Sequence, residues 1–164
     1  MNAVGHASRE PEALRPAPRI LATLCFSADK DFLALARSTT MHVAGLLGLP
    51  FSRVADLRLA VDEACALFLT PAASATSAAS PVPAVLAKGD AGGAGGVGGL
   101  ALVFADLGDE LRITVSGPAP VRELDFPDGL GWSLLCALVA APRWEVEGDV
   151  GILTLPEPIP ADRR

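Results

Sequence analysis

Residues 54–70, VADLRLAVDEACALFLT, constrain this chain more than any other stretch. Val54, Leu57, Val61, Ala64, Cys65 and Phe68 recur at helical spacing and line the apolar face of one amphipathic helix. Leu59, Glu63, Ala66 and Leu67 form a second face, and the carboxylate pair Asp62–Glu63 sits mid-helix. Two readings of Glu63 stand side by side. It is a solvated charge at the edge of the buried stripe, or it looks into a pocket. Asp62 is placed to pair with Arg58 one turn earlier.

The elements around this helix follow from periodicity and turn residues. Residues 19–27 (RILATLCFS) read as a strand. Residues 30–47 then read as a helix, with Phe32, Leu33, Leu35, Ala36, Val43, Leu46 and Leu47 recurring; Gly48 and Pro50 stop it. Ser52 suits the N-cap of the next helix. Strands are expected at 100–106 and 111–116, joined by a Gly-containing hairpin at 107–110, with loop over 117–127. A helix at 128–141, with Leu130, Leu134, Leu135, Leu138 and Val139 inward, is ended by Pro142. Strands at 143–147 and 151–155 form a final hairpin. Trp132 and Trp144 read as core packing. The order β-α-α-β-β-α-β-β predicts a two-layer α+β sandwich. Its sheet is mixed or mostly antiparallel, with the helices on one face.

The 164 residues fit one domain, 19–155, flanked by a tail at 1–18 and a proline-rich tail at 156–164. Residues 71–99 are Ala/Ser/Pro-rich and then glycine-rich, and read as a surface insertion unable to offset its ordering entropy. A net charge of −6 argues against nucleic-acid binding. Cys25, Cys65 and Cys136 are scattered, no CxxC occurs, and His6 and His42 add no ligand spacing. No metal site is predicted, and the cysteines read as reduced, mostly buried thiols of a cytoplasmic protein. No signal-peptide signature and no membrane span are expected.

The runs DLRLAVDEACALFL, DGLGWSLLCALV and GILTL together resemble the bacterial anti-sigma-factor serine kinases. The likeness is to their actinobacterial stress or sporulation branch. The resemblance implies the histidine-kinase-like (Bergerat) ATPase fold across residues 19–155. It also implies an alternative sigma factor and a STAS-type anti-anti-sigma protein as partners, a homodimer paired through a sheet edge, and Mg-ATP as cofactor. In that family a Glu orients the attacking hydroxyl and an Asn one turn later holds magnesium. Glu63 matches the Glu, whereas the Asn position is Leu67, which offers a hard cation no oxygen. The family's Asp-x-Gly-x-Gly turn corresponds to TVSGPAP, with Ser116 nearest the adenine-reading Asp and Gly117 the sole glycine. Pro118 and Pro120 donate no backbone N–H. The phosphate-binding glycine turn corresponds to Gly129, Gly131 and Ser133, a segment that equally fits an ordinary turn before a helix.

On partner contacts, the resemblance places Arg37 where the family's first helix touches both partners. Alternatively it is a solvated side chain paired with Asp31 or Asp29. Arg53 and Arg58 are further contact candidates. The expected function is an anti-sigma factor that sequesters its sigma factor until an anti-anti-sigma partner competes, with kinase activity weak or lost. The alternative is an active ATP-dependent serine kinase.

Overall fold

The structure is a computed structural model, and it describes residues 17–69, 99–119 and 129–160. The insertion read at 71–99 lies outside the described residues except for Gly99, which opens the second strand; residues 1–16, 120–128 and 161–164 lie outside them as well. Five strands and three α-helices are described: β1 (Arg19–Ser27), α1 (Leu33–Leu46), α2 (Phe51–Leu69), β2 (Gly99–Asp106), β3 (Glu110–Pro118), α3 (Leu130–Leu138), β4 (Arg143–Glu147) and β5 (Val150–Pro158). A 3-10 turn over Lys30–Phe32 leads into α1, with Asp29 accepting from the Asp31 backbone N–H.

The sheet runs β1-β2-β3-β5-β4, and every pairing is antiparallel. Helical residues Ala36, Val43, Leu57, Val61, Ala64, Cys65, Phe68 and Leu135 share one core with Leu100, Leu102, Phe104, Leu111, Ile113, Val115, Leu153 and Leu155 from the sheet. The two-layer α+β sandwich read from the sequence is therefore the architecture, and its sheet is wholly antiparallel. No described helix is long and apolar enough to cross a membrane.

Local chemistry explains where elements stop. Gly48 takes a positive φ of 59° after α1. Its N–H bonds to the Gly45 carbonyl and that of Leu49 to Ala44, which satisfies the last carbonyls of α1. In the β2–β3 turn, Gly108 has φ 93° and donates to Asp106 Oδ1 at 2.8 Å.

Several expectations need correction. Leu130, expected inward, is 87% exposed, and Leu35 and Leu46 of the helical recurrence are 52% and 69% exposed. Ser52 is no N-cap: α2 begins at Phe51, and the Pro50 carbonyl accepts from Val54. α3 ends at Leu138, before Pro142 acts, because Val139 is already extended. β3 includes Gly117 and Pro118, which were expected in a loop. β5 runs through Pro158, so the segment read as a tail from residue 156 begins as strand. Only Cys65 is buried; Cys25 and Cys136 are exposed free thiols. Trp132 and Trp144 do pack against the core, Trp144 with its ring 5.6 Å from that of Phe68.

Candidate functional site

Glu63 and Leu67 lie one turn apart on α2 and project together. Gly131, in the first turn of α3, faces both. A β-carbon there would sit 3.5 Å from Leu67 Cδ2 and 3.8 Å from Glu63 Oε2. The helix pair thus unites three residues far apart in sequence. Glu63 is half-buried, and Leu67 packs against the core. Gly129 is the extended N-cap of α3, and its carbonyl accepts from the Ser133 N–H at 3.1 Å. Ser133 itself is exposed.

Magnesium needs oxygen ligands in near-octahedral array. Beside Glu63 the next inward group is the Leu67 hydrocarbon. Among the described residues no group of three His, Cys, Asp or Glu is placed to hold a metal. The donor set does not fit a divalent ion.

The glycine strand end is also packed rather than open. Gly117 pairs with Gly151 across β3 and β5. A β-carbon on Gly117 would come to 2.6 Å from Leu100 Cδ2 and 3.0 Å from Phe68 Cδ1. One on Gly151 would collide with the Trp144 indole and meet Phe68 Cε1 at 3.1 Å. Both glycines exist to admit the Phe68–Trp144 ring pair and Leu100 (close approach of a side chain to backbone). Ser116 alternates with Val115 and Gly117, so it points to the opposite face of the sheet from Glu63. It cannot act as the adenine reader beside that carboxylate. The inward position is Gly117, which has no side chain to read a base. The Ser116 hydroxyl is buried and has no hydrogen-bond partner among the described residues.

The three arginines differ. Arg53 is engaged inside the molecule. Its Nε donates to Glu157 Oε1 at 2.8 Å, one terminal nitrogen bonds Glu157 Oε2 and the Leu138 carbonyl, and the other bonds Asp56. The hydrogen bond to Glu157 raises the Arg53 pKa further. Glu157 is 2% exposed, so the pair locks β5 to the start of α2 and satisfies the last turn of α3. Arg53 is thus a clamp rather than a free contact. Arg58 is exposed. Arg37 pairs neither with Asp31 nor with Asp29: its Nε lies 3.3 Å from Asp62 Oδ1 on α2 and donates to the Leu33 carbonyl at 3.4 Å. Asp62 therefore serves Arg37, not Arg58.

Sequence reasoning missed Glu157 because two prolines flank it, although Leu153, Leu155 and Glu157 keep the period of two that marks an inward strand face. The α1–α2 partnership of Asp62 left no local signal. Cys65, one turn from Asp62, has its thiol pKa pushed up to about 12, first by burial and then by the Asp62 charge. It is an inert core group.

No protein-family model and no curated protein matches this chain. Among solved structures, a crystal structure of the RsbU and RsbW domains of Rv1364c from Mycobacterium tuberculosis is similar in fold, at a TM-score of 0.56 and 17% identity. The match covers 83% of this chain and 32% of that one, so the chain spans about a third of the length of the protein it resembles.

Proposed function

We propose that this chain is an anti-sigma factor that grips an alternative sigma factor and yields it to a competing anti-anti-sigma protein, without phosphorylating that competitor. The carrying observation is Leu67: a packed hydrocarbon stands one turn beyond Glu63, where phosphoryl transfer needs a metal held in place. The Phe68–Trp144 pair over Gly117 and Gly151 adds to it, since the backbone a nucleotide would approach is already covered. Losing one transition-state interaction of about 3 kcal/mol already costs roughly a hundredfold in rate.

Partner binding rests on Arg37, whose side chain is 43% exposed at the α1–α2 seam. A guanidinium there suits a carboxylate on the partner. Self-association through β1 belongs to the same reading. β1 is a nine-residue edge whose one charge is Arg19, whereas the other edge, β4, is five residues long and carries Arg143, Glu145 and Glu147. Short, charged edges resist pairing and long uncharged ones invite it.

The test is co-purification of the chain with each alternative sigma factor of its host. Recovery of a stoichiometric complex supports the reading, and recovery of none opposes it. The kinase alternative has its own assay. Label transfer from ATP to an anti-anti-sigma protein that vanishes in Glu63→Ala would replace this reading with that one.

A further inference from the structure

The Arg37–Asp62 pair has an unusual geometry. Asp62 Oδ1 is buried and has no hydrogen-bond partner among the described residues, yet it lies 3.3 Å from Arg37 Nε. Charge holds the two together while the Nε–H is directed at the Leu33 carbonyl. Both anchors are on the Nε side of the guanidinium. Neither terminal nitrogen of Arg37 has a bond among the described residues, and the side chain is 43% exposed.

The surroundings are suited to protein contact. Ala34 and Met41 flank Arg37 at helical spacing on α1, and Arg58, Leu59 and Ala66 flank Asp62 on α2. All five are exposed, Met41 at 44% and Leu59 at 41%. In a chain of net charge −6 this seam offers two cations, one anion and four apolar side chains. The chemistry fits a partner segment that brings a carboxylate between apolar residues.

We propose that Asp62 is the positioning residue for this contact: it holds the Nε side of Arg37 so that the terminal nitrogens stay aimed outward at a partner carboxylate. The ion pair with Asp62 and the bond to the partner use different edges of one planar group, so they coexist. Fixing the long side chain beforehand spares the rotamer entropy that docking would otherwise cost. This inference rests on the anti-sigma reading and adds the residue that makes Arg37 effective.

The experiment is calorimetric titration of the sigma factor into four chains: unaltered, Asp62→Asn, Arg37→Ala and the double variant. Melting temperatures of each are measured alongside. Asp62→Asn keeps the shape and removes the charge, and should weaken binding about tenfold with little change in melting temperature. In the Arg37→Ala background the same change should add no further loss. Undiminished binding by Asp62→Asn, beside a binding unaltered chain, overturns the positioning role and leaves the anti-sigma reading intact. An equal loss in both backgrounds also overturns it, because Asp62 would then act without Arg37. Failure of the unaltered chain to bind any sigma factor overturns both.

Discussion

At the level of single side chains, the proposed loss of nucleotide chemistry rests on Leu67 and Gly117. Leu67 is part of the packing around α2, so an oxygen donor cannot be restored there without loss. Leu67→Asn should cost about 1–3 kcal/mol through lost burial and a poorly solvated amide. It should also gain no upward melting shift from Mg-ATP, because Phe68 and Leu100 still cover Gly117. Thermal melts with and without Mg-ATP check both points. Gly117→Ala should lower stability by about 1–3 kcal/mol, since its methyl would overlap Leu100 and crowd Phe68. Phe68→Leu should offset part of that penalty in a double-mutant cycle measured by urea unfolding. The thiols give an independent check on burial. Cys25 and Cys136 should react at once with a thiol reagent at neutral pH, and Cys65 only when the chain unfolds.

Between elements, the strongest polar link is Arg53 with Glu157. Arg53→Met strands a buried carboxylate, and stability should fall by about 2–4 kcal/mol, toward the lower end because Arg53 is one-third exposed. Pairing it with Glu157→Leu should recover most of the loss, and denaturant midpoints of the three variants decide this. The β2–β3 turn adds a pH response. The Gly108 N–H and then Arg19 hold the Asp106 carboxyl below its usual value. Its contribution is therefore complete above the ordinary aspartate range and is lost as pH falls through the lowered value. Asp106→Asn should flatten the acid side of the stability profile. Much of this layer was legible. The strand at Arg19–Ser27, the glycine stops and the α2 apolar stripe follow from local pattern. The ends of α3 and β5 were not, because they depend on Arg53 reaching the Leu138 carbonyl and Glu157, contacts across 85 and 104 positions. The resemblance matched Ser116 by position alone; the alternation of Leu111, Ile113 and Val115 along β3 is what turns it away from the helices.

For the whole molecule, the two-layer architecture brings Glu63, Leu67 and Gly131 together, as the family resemblance implied. What the resemblance did not supply was the packing at Gly117 and Gly151, whose backbone lies against Phe68, Leu100 and Trp144. The β1 edge, unpaired among the described strands, carries a prediction of its own. Analytical ultracentrifugation should give twice the chain mass, with a monomer at all concentrations as the contrary result. On the proposed reading, this scaffold binds protein and needs no nucleotide to do so. Titration of the cognate sigma factor, run once without nucleotide and once with millimolar Mg-ATP, tests it most directly. The predicted result is a one-to-one complex per protomer of equal affinity in both runs. Binding that appears only with Mg-ATP would contradict the claim.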